Sequence, residues 1–297
     1  MNVLVTGGAG FIGFHTVQAL LTRGAQVTVI DRVKESERGE LPSSVKVLEA
    51  DILEDDLYDK LCGESFSAMI HLAAQTEREV AEDDPEKEIE ESISGTIQML
   101  TLAHKLNIKR FVYASSVNVY GNKKDLPVME NVQLSPFTAQ AISTMTSEHF
   151  TKYFCQLWGL EYSILRYANV YGPGGKGVIN QFIDQLFESQ APIIYGDGAQ
   201  TRDFIHVEDV ARANVAALDS PSGIFNISTN IETDINTIYA MVATHFGKTI
   251  HPVYAKAREE DVDRAFYENA RAEEYLGWEP FFTVKEGIEQ TIDYFRS

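Results

Sequence analysis

The sequence has little cysteine and little positive charge. Only Cys62 and Cys155 occur among its 297 residues, too few for a disulfide framework and without the spacing of metal ligands. Lys and Arg total 25 against 44 Asp and Glu, which gives a formal net charge of −19. Because this charge repels nucleic acid and anionic membrane surfaces, we expect neither as a partner. We also expect no metal and a reducing compartment.

Long apolar runs are missing as well. No stretch of about 18 apolar residues, the length of a membrane-spanning helix, occurs in the sequence. The first residues, MNVLVTGGAG, lack the charged start and apolar core of a signal peptide. These absences predict a cytoplasmic protein. The acidic stretch 77–91 is predicted to be a solvated loop that leads into a helix beginning at Pro85.

Short apolar runs alternate with segments of helical length over the first two-thirds of the chain. The predicted strands are 2–6, 27–31, 45–49, 68–73, 110–115 and 162–167, and the intervening helices include 12–23 and 85–107. This alternation predicts βαβ units and a doubly wound parallel α/β sheet of Rossmann type. Glycine and proline become denser after Gly172. We therefore predict a first domain of residues 1–171 and a smaller mixed α/β domain of residues 172–297, with some segments returning to the first domain.

A glycine-rich turn follows the first predicted strand in NVLVTGGAGFIG. Its spaced glycines are Gly7, Gly10 and Gly13, and Phe11 and Ile12 open the next helix. Glycines let the backbone approach a pyrophosphate, and the free N–H groups of a helix N-terminus favour an anion. The sequence therefore predicts that this turn binds the pyrophosphate of a dinucleotide.

An acidic residue, Asp31, ends the second predicted strand 18 residues after Gly13. A carboxylate at this place accepts hydrogen bonds from an adenosine ribose and repels a 2′-phosphate. It therefore favours NAD over NADP, although the neighbouring Arg32 acts in the opposite direction.

Further motifs extend along nearly the whole chain. They are TGGAGFIG (6–13), Asp51-Ile52, HLAA (71–74), YASSVNVYG (113–121), RYANVYGP (166–173), QTRDFIHVEDV (200–210) and LGWEP (276–280). Together they resemble the extended short-chain dehydrogenase/reductase family. Within it they are most similar to the nucleotide-sugar epimerases and dehydratases, and most nearly to the UDP-sugar 4-epimerases.

The resemblance implies NAD as a tightly bound catalyst and a homodimer formed through the helix of residues 140–158. It places Asp51 and Ile52 beside the adenine, and the backbone of Leu72, Ala73 and Ala74 along the cofactor channel. Relatives of this kind remove a hydride from a sugar carbon and return it to the other face. A Ser or Thr binds the sugar hydroxyl, a Tyr acts as base, and a Lys four residues later lowers the pKa of that Tyr.

The resemblance also assigns substrate residues. Ser116 takes the Ser/Thr position, and the residues implied for the nucleotide-sugar are Asn169, Val178, Tyr195, Arg202 and Arg258. Asn169 and the two arginines would meet phosphate, since guanidinium groups match phosphate oxygens, and Tyr195 would lie under the uracil ring. A surface salt bridge is the competing interpretation for each arginine, and core packing is the competing interpretation for Tyr195.

The family's YxxxK motif is absent from residues 135–150. One placement puts Phe137 at the Tyr position and Ala141 at the Lys position. The other puts Gln140 and Thr144 there and restores the family's acidic residue at Glu148, so we prefer it. Glutamine has no titratable proton near neutral pH and threonine carries no charge, so we expect impaired catalysis. A third departure is Ser92, where the family usually has Asn.

Three interpretations stay open from the sequence. The chain is an engineered inactive epimerase, a natural member that kept binding and lost or rerouted catalysis, or an enzyme whose base is Tyr120, Tyr167 or His71. A non-catalytic binder of NAD and nucleotide-sugar is therefore an alternative function. A dehydratase is the other alternative chemistry, but such enzymes commonly carry an Asp-Glu pair after the active-site hydroxyl, where this chain has Val117-Asn118.

Overall fold

A computed structural model describes the chain except for residues 34, 37–38, 75–77, 248–249, 258–261 and 297. The strands are β1 (Asn2–Thr6), β2 (Gln26–Asp31), β3 (Glu35–Ser36), β4 (Gly39–Glu40), β5 (Lys46–Glu49), β6 (Ala68–His71), β7 (Arg110–Ser116), β8 (Glu161–Tyr167), β9 (Asn169–Tyr171), β10 (Ile193–Tyr195), β11 (Thr201–Arg202), β12 (Phe204–His206), β13 (Gly223–Ile227), β14 (Thr233–Asp234) and β15 (Val253–Ala255). The α-helices are α1 (Phe11–Thr22), α2 (Leu57–Leu61), α3 (Arg78–Asp83), α4 (Pro85–Glu88), α5 (Gly95–Lys105), α6 (Ala139–Trp158), α7 (Val178–Phe187), α8 (Val207–Ala216), α9 (Ile235–Phe246), α10 (Ala270–Leu276) and α11 (Val284–Arg296). A π-helical segment spans Ile89–Ser94, and a 3₁₀ turn spans Val117–Tyr120.

A seven-stranded parallel sheet organises the molecule, with strand order β13-β8-β7-β6-β1-β2-β5. The chain runs outward from β1 to β2 and β5, then crosses to β6 on the other side of β1. This reversal between β1 and β6 is the switch point at which open α/β sheets bind ligands. The predicted doubly wound parallel sheet is confirmed.

Side chains of β1 alternate between two apolar cores, because successive residues of a strand face opposite sides of the sheet. Val3 and Val5 lie in the core that contains Leu20 of α1, together with residues of α8. Leu4 lies in the core that contains Leu100 of α5, together with residues of α2 and α6. Helices therefore cover both faces of the sheet.

The C-terminal part adds a third core among α7, α9 and α11. Small sheets lie beside it: β9 with β12 and β10 with β15 are parallel pairs, and β11 with β14 is antiparallel. Two later elements pack against the N-terminal part of the chain, since β13 joins the large sheet and α8 packs on α1. The division at residues 171 and 172 stays a prediction.

The acidic stretch differs from the prediction. Residues 78–83 form α3, so the expected loop is wrong there. The expected start at Pro85 is confirmed, because Asp84 caps the helix by accepting the N–H of Lys87 at 3.1 Å. The predicted single helix 85–107 is interrupted by the π-helical segment, and Glu88 at its start is buried rather than solvated.

Candidate active site

Several of the predicted site residues lie at or just after the carboxyl ends of neighbouring parallel strands. β1 ends at Thr6 before the glycine turn, β2 ends at Asp31, β6 ends at His71 and β7 ends at Ser116. Parallel strands share one carboxyl edge, so these residues come together there.

The glycine turn is packed too tightly to accept side chains. Gly7 has φ +70°, and a Cβ on it would lie 2.8 Å from the backbone N of Ala73. A Cβ on Gly13 would lie 2.0 Å from the carbonyl oxygen of Gly7. Gly10 is the N-cap of α1, so the N-terminus of this helix follows β1 after a turn of four residues. This geometry leaves backbone N–H groups available to a phosphate.

A cavity of about 170 Å³ lies beside this turn. It brings together Gly7, Asp31, Arg32, Asp51, Ile52, Leu72, Ala73 and Ala74, with Ile30, Ala50 and Glu91 completing the lining. One carboxylate oxygen of Asp31 accepts the N–H of Ala9 at 2.9 Å, which fixes the acid against the turn. Glu91 was not predicted to lie at this site, and its carboxylate pairs with the Arg32 guanidinium at 3.0 Å. That pairing offsets the positive charge of Arg32 at the cavity.

His71 belongs to a buried polar chain. Its Nδ1 lies 2.7 Å from the hydroxyl of Thr6, and its Nε2 lies 3.2 Å from the hydroxyl of Thr96. Burial lowers the pKa of His71 to about 3, so the ring is neutral near pH 7. These contacts are those of a satisfied core histidine rather than of a base open to substrate.

The Thr96 and Ser147 hydroxyls both donate to the carbonyl of Ser92, at 2.7 and 2.9 Å. This carbonyl lies in the π-helical segment, where the ordinary helical hydrogen-bond pattern is interrupted. Ser92, the position at which the family usually has Asn, therefore joins α5 and α6 through its backbone.

The two tyrosines considered as alternative bases are also engaged elsewhere. The Tyr120 hydroxyl donates to Asn226 and the Tyr167 hydroxyl donates to Asn214, each at 2.5 Å. Burial raises the pKa of Tyr120 to about 12 and raises that of Tyr167 further. Both phenols therefore stay protonated near neutral pH, and neither can act as a base there.

The preferred catalytic positions lie near the start of α6, which Thr138 caps by accepting the N–H of Ala141 at 3.2 Å. Gln140 lines a second cavity, of about 140 Å³. Thr144 lies one turn later, and its hydroxyl donates to the Gln140 carbonyl at 2.8 Å. Ser116 ends β7, and its hydroxyl accepts the N–H of Asn118 at 3.2 Å.

In the alternative register, the two catalytic positions lie in different structural elements. Phe137 precedes α6 and lines the second cavity beside Gln140, whereas Ala141 is buried within the helix. Only the register of Gln140 and Thr144 places both positions inside the helix, four residues apart on one face.

The second cavity also receives part of the predicted substrate set. Its lining consists of Val117, Asn118, Gly121, Phe137, Thr138, Gln140, Asn169, Arg202, Val262, Ala265 and Tyr267. The Asn169 amide donates to the carbonyl of Asp203 at 3.1 Å. Nη1 of Arg202 donates to the carbonyls of Thr201 and Val262 at 2.7 and 2.5 Å.

Other predicted substrate residues lie apart from this lining. Tyr195 ends β10 and is partly exposed, and Val178 begins α7. Arg258 lies outside the residues that the structure describes. Two further residues of the second cavity, Tyr267 and Asn118, were not predicted from the sequence. No local motif marks Tyr267, whereas Asn118 lies inside the quoted motif YASSVNVYG.

Neither a metal-binding cluster nor a membrane-spanning helix occurs in the described part of the chain. It contains no group of three or more His, Cys, Asp or Glu side chains arranged to hold a metal ion. Its helices are all too short or too polar to cross a membrane.

The parallel sheet and the glycine turn at its switch point are typical of a dinucleotide-binding protein, and comparison with known proteins narrows this class. Residues 3–228 match the model of the NAD dependent epimerase/dehydratase family. The chain belongs to that family.

Several relatives match over nearly their full length. A putative UDP-glucose 4-epimerase of Methanocaldococcus jannaschii is 37% identical, over 99% of this chain and 98% of the relative. The UDP-glucose 4-epimerase of Mycolicibacterium smegmatis is 32% identical, over 100% of this chain and 99% of the relative. The crystal structure of a Thermotoga maritima UDP-glucose 4-epimerase with UDP-glucose superposes with a TM-score of 0.96 at 32% identity, covering 100% of this chain and 99% of that one. A Bacillus cereus UDP-glucuronic acid 4-epimerase, in complex with UDP-glucuronic acid and NAD, gives 0.92 at 28% identity, with 100% and 99% covered.

Proposed function

We propose that the chain is a UDP-sugar 4-epimerase by descent, that it binds NAD and a UDP-sugar, and that its catalysis is impaired. One observation carries the proposal. Gln140 lines the second cavity beside Asn118, Asn169 and Arg202, while eight of the twelve predicted cofactor residues line the cavity beside the glycine turn. This grouping supports binding of both ligands by a chain in which we place Gln140 and Thr144 at the family's Tyr and Lys positions.

The residues around the glycine turn fit NAD. Phe11 and Ile12 at the start of α1 offer backbone N–H groups to the pyrophosphate, and the close packing of Gly7, Gly10 and Gly13 lets it approach them. The N–H of Gly10 itself donates to the Gly7 carbonyl at 3.2 Å and holds the turn. Asp31 is the acceptor for the adenosine ribose. Asp51 and Ile52 would hold the adenine, and the backbone of Leu72 to Ala74, directly after β6, would line the cofactor channel. Bound NAD supplies a reversible hydride acceptor for the sugar.

The UDP-sugar occupies the second cavity and the surface next to it. Arg202 and Asn169 serve the diphosphate, with Arg258 as the second cation of the predicted pair. Tyr195 and Val178 are placed on the nucleotide side. Arginine suits this task because its guanidinium group meets phosphate oxygens with two parallel hydrogen bonds.

The impairment follows from side-chain chemistry. Ser116 can hydrogen-bond a sugar hydroxyl, but the Gln140 amide has no group that titrates near neutral pH and so cannot act as a base. The Thr144 hydroxyl donates to the carbonyl of its own helix and carries no charge. Since positioned acid–base catalysis contributes on the order of 10²–10⁴-fold, turnover should fall by about that factor.

A non-catalytic binding protein is the second candidate, favoured by the same loss of a titratable group in the cavity. A dehydratase is disfavoured, because Val117-Asn118 offers no acid pair after Ser116. The natural or engineered origin of Gln140 and Thr144 does not alter this chemistry.

The predicted homodimer would use the outer face of α6. Tyr153 and Leu157 are each 59% exposed there, and Phe154 stacks on Trp158 with ring centroids 4.6 Å apart. A contiguous aromatic and aliphatic face of this kind suits a second copy of the chain. The cytoplasmic location likewise stays a prediction.

Binding and turnover measured on the same preparation test the proposal. Calorimetry with NAD present should detect binding of UDP-glucose, and chromatographic separation should show conversion to UDP-galactose slower than about 0.1 s⁻¹. UDP-N-acetylgalactosamine provides a second sugar. Failure to bind either NAD or any UDP-sugar would contradict the proposal, and turnover of about 10 s⁻¹ would contradict the impairment.

A further inference from the structure

Tyr267 lines the same cavity as Gln140 and Arg202 but belongs to none of the motifs by which the family resemblance was drawn. The residue is 6% exposed, and its ring stacks on that of Tyr120 with centroids 5.8 Å apart and planes 22° apart. Its hydroxyl forms no hydrogen bond with any residue in the described ranges, whereas the Tyr120 hydroxyl is bonded to Asn226. A phenol in the cavity wall therefore has an unused hydrogen-bonding group.

The backbone of Tyr267 is held from both sides. Its N–H donates to Asp203 at 3.3 Å, and its carbonyl accepts the hydroxyl of Ser228 at 3.0 Å. Asp203 is fully buried and also accepts the N–H groups of Thr229 and Asn230, at 2.8 and 3.0 Å. Because the ring and the backbone are both fixed, the hydroxyl keeps its position without a ligand.

The environment also sets the protonation state of this phenol. Burial raises the pKa of Tyr267 well above its usual value, and the Asp203 carboxylate adds to the rise while Arg202 opposes it. The hydroxyl is therefore protonated near neutral pH, able to donate one hydrogen bond and to accept others, and unsuited to act as a base. Its polar neighbours in the wall, Asn118 and Gln140, are amides that also pair with hydroxyl groups.

We propose that Tyr267 hydrogen-bonds a hydroxyl of the sugar in the bound UDP-sugar and so contributes to recognition of the sugar rather than of the nucleotide. The inference rests on the proposed function, because it requires the cavity to receive the sugar. A pre-positioned neutral hydrogen bond of this kind is worth about 0.5–1.5 kcal/mol, or roughly twofold to twelvefold in affinity.

The test compares Tyr267→Phe with the unaltered chain, with NAD present, using UDP and UDP-glucose as probes in calorimetry. The variant keeps the stacked ring, so its thermal unfolding midpoint should stay unchanged. We expect the Kd for UDP-glucose to rise about threefold to tenfold while the Kd for UDP stays constant. Tyr58→Phe, which removes a hydroxyl from a partly exposed tyrosine on α2, is the matched control and should change neither constant.

The outcomes separate the two proposals. If Tyr267→Phe changes the Kd for UDP-glucose by less than twofold, the assignment of Tyr267 is wrong. It is also wrong if the Kd for UDP rises by the same factor as that for UDP-glucose. Either result leaves the proposed function standing. Absence of UDP-glucose binding by the unaltered chain overturns the proposed function, and this inference with it.

Discussion

Glu148 on α6 accepts two hydrogen bonds from the guanidinium group of Arg166 on β8, at 2.8 and 2.7 Å, and both residues are 2% exposed. Ser115 at the end of β7 donates to the same carboxylate at 2.5 Å. The Arg166 guanidinium also lies 4.7 Å from the centre of the Tyr120 ring. This buried pair attaches the helix that carries Gln140 to the sheet that carries Ser116.

Removing one partner should therefore be costly. Glu148→Gln leaves a buried guanidinium without its counter-charge, and we expect the free energy of unfolding to fall by about 3 kcal/mol. Urea titration measures this loss. Asp219→Asn disrupts an exposed pair with Arg23 and should cost less than about 1 kcal/mol. Equal losses in the two variants would contradict a special role for the buried pair.

Acid should destabilise the protein through His71. Its pKa is 6.5 in the unfolded chain and about 3 when folded, so between these values the unfolded state binds more protons. Stability is then fully present above pH 6.5 and falls as the pH is lowered toward 3. We expect His71 to account for a loss of about 2 kcal/mol between pH 7 and pH 5. Urea titrations at both pH values should show a smaller loss for His71→Gln, and an identical loss would refute the assignment.

The glycine turn should reject a methyl group. In Gly13→Ala the new Cβ would lie 2.0 Å from the Gly7 carbonyl oxygen, so the turn must move. We expect the affinity for NAD to fall by at least about tenfold, as measured by calorimetry. Gly63→Ala, where a Cβ meets nothing within 4 Å, is the control and should bind NAD normally. Unchanged NAD binding by Gly13→Ala would show that the cofactor lies elsewhere.

The charge of Asp31 should set the choice between NAD and NADP. Asp31→Asn removes the charge while keeping an oxygen for the N–H of Ala9. We expect the ratio of NADP affinity to NAD affinity to rise by about tenfold, the value of one charged hydrogen bond. Asp59→Asn makes the same charge change on α2 and should leave the ratio unaltered. A constant ratio in both variants would remove Asp31 from the ribose site.

The sheet could be predicted from the sequence because its signals are local. Each run of β-branched residues is buried on both faces of a parallel sheet, so it is apolar throughout and easy to recognise. The strands starting at Asn2 and Arg110 match the predictions closely, whereas the strand starting at Ala68 ends at His71, two residues early.

Features that depend on distant contacts were not predictable in the same way. The π-helical segment at Ile89–Ser94 is joined to α6 by the Ser147 hydroxyl, which comes 55 residues after Ser92. Tyr267 lies in the cavity wall, where Asp203 and Ser228 hold its backbone. Both residues are distant in the sequence, so the residues around Tyr267 do not indicate these contacts. The pairing of β13 with β8 was not predicted either, because many residues separate the two strands in the sequence.

The motifs of the family resemblance lie at the ends of neighbouring strands, and eight of the twelve residues that they predict for the cofactor line one cavity. Their role in binding the cofactor stays a prediction. The positions that the resemblance predicts for the missing Tyr and Lys, Gln140 and Thr144, lie in the first two turns of α6. It did not determine the register there, since Phe137 and Gln140 both line the second cavity.

The central claim is that binding has been kept while acid–base catalysis was lost at Gln140 and Thr144. The most direct test measures conversion of UDP-glucose to UDP-galactose by the Gln140→Tyr, Thr144→Lys double variant, beside the unaltered chain and a Phe137→Tyr, Ala141→Lys double variant. We predict a gain of about 10²–10⁴-fold for the first variant alone. A gain only in the second variant would contradict the register, and no gain in either would contradict the claim.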